Sequence, residues 1–234
     1  MKTSNKILVG SGLLLATLIL IFMIIVRIML GVSPRFDDSY DITEPDVITN
    51  YHFSDFKNVE VRDNWTVSIR QGEQFSIEVT APQSVQEKAR IEVVGDRLIF
   101  ENDRFIHPRG KLEALVIMPR IENVTSADAV KVKLDDFTCD RLQIKLDGAC
   151  KVRARNNVIT DLDLKGTGAT RADLVESVIT NANLQVSGAG RVELNMQGGE
   201  LTGTASGAVK IIYYGSVSAE KIRTSGAVSI HHRD

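Results

Sequence analysis

The fold is decided by the stretch IKLDGACKV at residues 144–152, because close copies follow as LKGTGATRA at 164–172 and LQVSGAGRV at 184–192. Two more copies, GTASGAVKI at 203–211 and IRTSGAVSI at 222–230, extend the series. A small residue, a glycine and an alanine form the centre of each copy, and a degenerate copy precedes them. The central residues are Asp128, Gly148, Gly168, Gly188, Gly207 and Gly226, at spacings of 20, 20, 20, 19 and 19 residues. A motif that returns at nearly constant spacing is the signature of a repeat architecture.

Apolar residues recur at fixed distances from each central residue, and polar residues lie between them, as in short strands that bury one face. A unit of about twenty residues is too short for a β-propeller blade and lacks the Leu/Asn ladder of leucine-rich repeats. The sequence therefore predicts an all-β, right-handed parallel β-helix with about 20 residues per coil. Glycine at the repeated corner allows a left-handed backbone, and Asp128 tolerates that conformation better than most residues.

The segment before the repeats is also β-rich but does not repeat. Gln71-Gly72 and Gly95-Asp96 are turn signals between alternating runs and predict hairpins, and a helical turn is expected within residues 82–90. We expect this segment to cap the amino-terminal end of the stack, where backbone groups would otherwise be unpaired. The predicted β-helix domain covers residues 51–234, with a hairpin and cap part at 51–119 and repeat coils at 120–234.

An apolar run precedes this domain. Residues 7–26 carry no charge, and at 1.5 Å per residue they make a helix of about 30 Å, one hydrocarbon thickness. The run is too long for a cleavable signal, ends without an Ala-x-Ala site, and no cysteine follows it for lipid attachment. We predict a transmembrane helix at 7–30, between a cytoplasmic amino terminus at 1–6 and a spacer at 31–50.

The charges around this run predict an orientation. Lys2 and Lys6 precede it, which favours an inside amino terminus and places the carboxy-terminal domain in the periplasm or outside. The expected topology is therefore a single pass, which in a bacterium would lie in the inner membrane. Because the charge asymmetry is small, the opposite orientation stays open.

Composition excludes several classes of protein. With 28 Lys+Arg against 30 Asp+Glu and 43% hydrophobic residues, the chain is neither disordered nor basic enough to predict a nucleic-acid partner. Two cysteines, Cys139 and Cys150, exclude a disulfide framework. They fall in different repeat columns, and a disulfide between them is left open.

A basic column runs through the repeats at the third position after the corner. It consists of Lys131, Lys151, Arg171, Arg191 and Lys210. If the coils stack in register, these side chains form a ladder with a spacing of about 4.8 Å. One interpretation is a stripe that binds anions or glycans, such as a lipopolysaccharide core, a polyanion or an acidic polysaccharide. The other is a solvated face that discourages aggregation, balanced by Asp173 and Glu193 two positions further on.

Grouped carboxylates raise the question of catalysis, since acid/base work on polysaccharides uses them. The candidates are Asp135, Asp136, Asp140, Asp161 and Asp163. They form no continuous column, and turns this short leave no long loops to wall a cleft. We expect no enzyme, no catalytic residue, no cofactor and no metal site, with a polysaccharide-active enzyme as the weaker alternative.

Three aromatic residues are candidates for contacts with a carbohydrate: Trp65, Tyr213 and Tyr214. We interpret them as packing residues, with carbohydrate stacking as the alternative.

Several short runs together resemble a known family. They are Phe56, Val59-x-Val61, Val67-x-Ile69-x-Gln71-Gly72, Gly95-Asp96-x-Leu98-x-Phe100, Pro119-x-Ile121 and the serial Ser-Gly-Ala copies. Over about residues 51–230 the chain resembles the GIN-domain family of auto-transporter-type adhesin heads, found mainly in bacteria. The resemblance implies a secreted or surface-anchored β-helical domain without established catalytic residues. Members are often lipid-anchored, and the predicted transmembrane anchor departs from that.

The expected function is a membrane-anchored, outward-facing, non-enzymatic module for binding or adhesion in the cell envelope. Besides the membrane, the expected partners are an envelope glycan, a polyanion or another envelope protein. The alternative is a structural scaffold that assembles through open β-helix ends, although the polar residues 231–234 predict a capped end. A sensor role is also left open, but the predicted cytoplasmic segment of about six residues is too short to be an effector domain.

Overall fold

The computed structural model describes residues 44–102 and 112–233, which form an all-β solenoid of about six turns. The predicted cytoplasmic residues 1–6, the predicted transmembrane helix at 7–30 and most of the predicted spacer lie outside the described residues. Within the described ranges, no helix combines the length and apolar character needed to cross a bilayer.

Fourteen strands and one helical turn follow each other along the described chain. The strands are β1 (Asp46–Tyr51), β2 (Asn58–Val61), β3 (Thr66–Gln71), β4 (Ser76–Pro82), β5 (Arg90–Val94), β6 (Arg97–Glu101), β7 (Glu113–Met118), β8 (Asn123–Asp128), β9 (Lys131–Asp135), β10 (Thr138–Gly148), β11 (Lys151–Gly168), β12 (Arg171–Gln197), β13 (Glu200–Ser216) and β14 (Ala219–Arg233). The helical turn α1 (Gln83–Gln86) lies between β4 and β5, as predicted. Strand β1 overlaps the last five residues of the predicted spacer.

Successive coils pair in parallel, with equivalent repeat positions opposite each other. Gly148 pairs with Gly168, and Gly207 pairs with Gly226, so the predicted parallel β-helix is confirmed. Each corner separates two outward surfaces. We call the surface formed by residues before the corner the first face, and the surface formed by residues after it the second face.

The inward side chains fill a continuous core along the solenoid. The residues four and six positions after the corner are buried on every described coil except the last, as Val152 and Leu174 illustrate with 1% and 0% of their surface exposed. Burying one such leucine or valine contributes about 1.5–3 kcal/mol. Stacking like residues on like therefore gives every coil a share of the same core.

The corners adopt the backbone that the repeat predicted. All five corner glycines have positive φ angles, from 89° at Gly226 to 101° at Gly188, and Asp128 has φ 71°. Strand pairing extends the same column to Asp63, whose φ is 66°. The sequence motif missed this corner because Asp63 has no Gly-Ala pair beside it.

The amino-terminal part contributes to the stack as well as capping it. Strands β2 and β3 lie between β6 and β7 on one side and β8 and β9 on the other. Strand order along the solenoid therefore departs from chain order. Antiparallel strands β4 and β1 continue beyond β7, and β5 continues beyond β6, which closes this end.

Of the two predicted hairpins, the one at Gly95-Asp96 is confirmed, because Val94 pairs with Arg97. The prediction of a hairpin at Gln71-Gly72 is wrong, because β3 and β4 do not pair with each other. Strand β7 lies between β3 and β4 and pairs with both. The Gly72 N–H donates to the Met118 carbonyl, so β7 takes the bonds that a hairpin would use.

The carboxy-terminal end differs from the capped end that the polar residues predicted. Strand β14 continues to Arg233 and, among the described residues, pairs with β13 alone. Its inward Ile222, Val228 and Ile230 are only partly buried. The last described coil therefore presents an open backbone edge over a thin apolar layer.

Candidate functional site

The structure brings the predicted basic column together. Lys151 lies opposite Lys131 on one side and Arg171 on the other, and Arg191 lies opposite Lys210. The Arg191 N–H donates to the Thr170 carbonyl, which places Arg191 one coil beyond Arg171. Five cations thus stand on successive coils of the second face, and we call this column the basic stripe.

Part of the basic stripe is neutralised by its neighbours. Glu193 lies 3.7 Å from the Arg171 guanidinium and bonds the Arg191 guanidinium directly. The hydrogen bond from Arg191 lowers the pKa of Glu193, and the same bond raises the pKa of Arg191. These two arginines are therefore held in ion pairs, as the balanced-face interpretation expected of Glu193.

Uncompensated charge lies at both ends of the stripe, because Lys210 on its last coil makes no ion pair with a described residue. Within the described ranges, Lys131 and Lys151 make no ion pair, and neither does the exposed Lys133 two residues after Lys131. Thr66 and Ser68 lie opposite Lys131 and Lys133 on the preceding coil. Three free ammonium groups beside two hydroxyls can donate hydrogen bonds to an anion. Lys133 follows Lys131 by two residues, and the period-2 alternation of a strand is the signal that places both on the outward face.

A polar groove lies on the first face. Two adjacent depressions, of about 510 and 470 Å³, share Arg141 and follow successive coils. Their lining residues are Arg120, Ile121, Glu122, Asn123, Thr138, Cys139, Asp140, Arg141 and Gln143 in the first, and Arg141, Asp161, Leu162, Asp163, Asn181, Ala182, Asn183, Glu200 and Thr202 in the second. We call this feature the polar groove. Sequence reasoning missed it.

The groove coincides with a break in the strand alternation. Thr160 and Asp161 are both exposed, while Ile159 and Leu162 on either side are both buried. Two consecutive outward residues require the strand to bend, because an extended strand alternates its side chains. Between the described strands β10 to β13 the connections are only two residues long, so the groove is a depression in the strands themselves and not a cleft walled by loops. The signal was an apolar spacing of three instead of two.

Hydrogen bonds between coils fix the side chains of the groove. Asn181 Nδ2 donates to Asp161 Oδ1 at 2.9 Å, and Asn183 Nδ2 donates to Asp163 Oδ1 at 3.1 Å. Arg141 Nε donates to Asp163 Oδ2 at 3.1 Å. Hydrogen bonds from Arg141 and Asn183 lower the pKa of Asp163, so this carboxyl is a poor general acid.

The five candidate aspartates do not form one cluster. Asp140, Asp161 and Asp163 line the groove, whereas Asp135 ends β9 and Asp136 pairs with Arg70 at 3.5 Å. Among the described residues, no group of three or more His, Cys, Asp and Glu side chains has a metal-binding arrangement.

Two of the three aromatic candidates, Trp65 and Tyr213, are packing residues, whereas Tyr214 is only partly buried. Trp65 has 0% of its surface exposed, lies 5.5 Å from Phe100 between ring centroids, and donates from Nε1 to Asn102 Oδ1 at 3.0 Å. Tyr213 is also buried and stacks on His232. Carbohydrate stacking on Trp65 or Tyr213 was therefore the wrong alternative.

Both cysteines are free thiols, so the disulfide left open by the sequence is not formed. Burial raises the pKa of Cys139 to about 11 and also raises that of Cys150. Their thiolate populations at neutral pH are small, so both cysteines are weak nucleophiles.

The fold and these surfaces define the chain as a β-solenoid that presents rows of polar side chains on regular faces. Residues 55–231 match the family described as "Putative auto-transporter adhesin, head GIN domain". The chain belongs to this GIN-domain family, and the resemblance drawn from its short runs is confirmed.

Solved structures share the fold. A putative adhesin from Bacteroides fragilis has a TM-score of 0.67 at 13% identity, covering 82% of this chain and 98% of its own. A putative lipid binding protein from Parabacteroides distasonis has a TM-score of 0.55 at 11% identity, with the same coverage. A putative adhesin from Parabacteroides distasonis has a TM-score of 0.50 at 12% identity, again with that coverage. No sequence among the curated proteins matches the chain.

Proposed function

We propose that this protein is a membrane-anchored, outward-facing, non-enzymatic head for binding or adhesion in the bacterial cell envelope. Membership of a family of adhesin heads supports both the role and a surface location. The observation that carries the binding role is the basic stripe, whose Lys131 and Lys151 stand in register without ion-pair partners in the described ranges.

The proposed anchor is the uncharged run at residues 7–26, which holds the chain in the inner membrane by a single pass. The GIN domain then lies in the periplasm or outside. Protease added to spheroplasts that express the full chain is expected to degrade the GIN domain while a cytoplasmic marker survives. Full protection of the domain in intact spheroplasts, with degradation only after lysis, would show the opposite orientation.

The proposed ligand of the stripe is an anionic envelope polymer, such as a lipopolysaccharide core, a teichoic acid or an acidic polysaccharide. Two unit charges about 4.8 Å apart repel by about 1 kcal/mol in water. A phosphate or sulfate that bridges Lys131 and Lys151 relieves this repulsion and gains charge-assisted hydrogen bonds. Another envelope protein with an acidic surface is the alternative partner, and no nucleic acid is expected.

Salt dependence tests this ligand class. The purified full chain is expected to bind immobilised heparin and polyphosphate at about 50 mM salt and to dissociate by about 500 mM, because screening shortens the range of exposed charges. Binding that is unchanged by salt would move the site away from the stripe. Absence of binding to either polymer at low salt would overturn the anionic ligand.

A scaffold is the second candidate, favoured by the open edge of β14. That edge could pair with another chain, but a head-to-tail stack would bring it to the amino-terminal end of a second copy, which β1, β4 and β5 close with antiparallel strands instead of a matching coil. We therefore expect no filaments. Sedimentation of the full chain at rising concentration checks this, and continuous growth of the particles would favour the scaffold.

A further inference from the structure

The polar groove lies apart from the basic stripe and carries different chemistry. Its residues belong to the first face, before the corner glycines, whereas the stripe lies on the second face. It therefore offers a second surface that an anionic ligand on the stripe leaves unused. We propose that the polar groove binds an extended, uncharged glycan chain.

The groove consists of two aligned columns in which every side chain can form hydrogen bonds. On four successive coils the columns hold Arg141, Asp161, Asn181 and Glu200, and beside them Gln143, Asp163, Asn183 and Thr202. Carboxylates and amides accept hydrogen bonds from hydroxyls, while guanidinium and amide groups donate to them. The columns thus present donors and acceptors to a hydroxyl-rich ligand on every coil.

These side chains are ordered before any ligand binds. The Glu200 N–H donates to Asn181 Oδ1 at 3.0 Å, which completes a chain of bonds from Asp161 through Asn181 to the next coil. Asn183 uses Nδ2 on Asp163, while its Oδ1 has no protein partner among the described residues. A ligand that meets preorganised groups loses less conformational entropy on binding.

Charge selects against a polyanion in the groove. The second depression holds three carboxylates, of which Asp163 pairs with Arg141 and Glu200 pairs with Lys221, so the charge of Asp161 is left uncompensated. This negative balance repels phosphate and sulfate groups. The stripe and the groove therefore favour ligands of different charge.

Geometry selects against an added peptide strand. The groove strands β10 to β13 are each paired on both sides, so their backbone offers no free edge for β-strand addition. The floor of the second depression contributes only Leu162 and Ala182 as apolar groups, too little for a pocket that anchors a peptide side chain.

The length of the groove fits an extended chain of sugars. It runs from the coil of residues 120–123 to the coil of residues 200–202, which is four coil spacings or about 19 Å. Because the two polar columns repeat on the four coils from Arg141 to Thr202, an extended polymer can repeat its contacts from coil to coil. We expect about four sugar units to fill the groove.

Binding of defined oligosaccharides tests the site. The full chain in lipid nanodiscs, free of sugar detergents, is titrated with uncharged β-1,4-linked N-acetylglucosamine and glucose oligomers of two to six units. In at least one series, affinity is expected to rise about tenfold or more from dimer to tetramer, to level off by the hexamer, and to be unaffected by salt. Absence of binding in both series, or affinity independent of length, would overturn the proposal.

Variants locate the binding. Asn183→Ala removes a groove amide and is expected to weaken tetramer binding about tenfold, while Gln185→Ala, two residues along the same strand, leaves it unchanged. Thr202→Trp, which fills the groove, is expected to abolish binding and keeps the test valid if Asn183→Ala fails to fold. Equal effects of Asn183→Ala and Gln185→Ala would overturn the site.

The inference rests on the proposed role as a binding head, but the two can fail separately. Heparin binding by Asn183→Ala is expected to match that of the wild type, because the stripe is intact. If the sugars fail to bind while heparin binds, the groove proposal falls and the stripe stands. If a variant without the stripe lysines loses the sugars, the glycan lies on the stripe and the groove proposal is overturned.

Discussion

Replacing Gly188 by alanine is expected to destabilise the solenoid by at least about 4 kcal/mol, a large loss for a single methyl group. Gly188 has φ 101°, and a Cβ built on it would lie 2.5 Å from the Gly168 carbonyl oxygen. The left-handed backbone alone costs an L-residue about 1–2 kcal/mol. The rest of the expected loss in stability arises because the two coils must separate at the corner. This separation weakens the backbone hydrogen bonds between the coils and the packing of the core beneath them.

Gly95→Ala is the matched control, because it keeps the backbone strain without the clash. Gly95 has φ 66° in the β5–β6 hairpin, and nothing lies within 4 Å of a built Cβ. Its expected loss is about 1–2 kcal/mol. Thermal unfolding followed by circular dichroism should lower Tm by about 8–16 °C for Gly188→Ala and by a quarter to a half of that for Gly95→Ala. Equal shifts would show that close packing of the corners contributes nothing.

The corners could be predicted from the sequence because one local constraint leaves few residue types. A positive φ favours glycine, with aspartate and asparagine as the common exceptions. The residue types of Gly148 and Asp128 therefore predict their positive φ angles. The place of β2 and β3 between later strands could not be predicted. It depends on pairing between strands far apart in the chain, such as Val59 with Leu98, which no local pattern encodes.

The candidate surfaces likewise contain features that the sequence predicts and features that it does not. The repeat spacing was enough to place Lys131 and Lys151 in one column, because register follows from the corner. The neutralisation of Arg171 and Arg191 by Glu193 depends on side-chain positions on two coils, which spacing does not give. The polar groove depends on a strand bend, and its only trace in the sequence is the three-residue spacing of apolar positions.

Replacing Lys131, Lys133 and Lys151 together by glutamine is expected to weaken heparin and polyphosphate binding at least about tenfold at low salt. Each lysine is exposed and without an ion-pair partner in the described ranges, so each can contact an anion at little cost in broken bonds. A charge-assisted contact contributes about 1 kcal/mol or more, and 1.4 kcal/mol is a factor of ten in affinity. The binding affinity of the variant should also fall less steeply with salt concentration than that of the wild type.

Net charge alone could produce a similar effect, so the control removes three lysines elsewhere. Lys145→Gln, Lys165→Gln and Lys221→Gln together change the net charge by the same amount, but these residues lie before the corner on the first face, where Lys221 also pairs with Glu200 at 3.3 Å. We expect that variant to retain most of its binding at each salt concentration in a surface-retention assay. If the two triple variants lose binding equally, the polymer responds to the overall charge, and the basic stripe is a solvated face that keeps neighbouring molecules apart. If only the stripe variant loses binding, the polymer recognises the positions of the stripe lysines on successive coils. The overall charge of the surface would not explain that result.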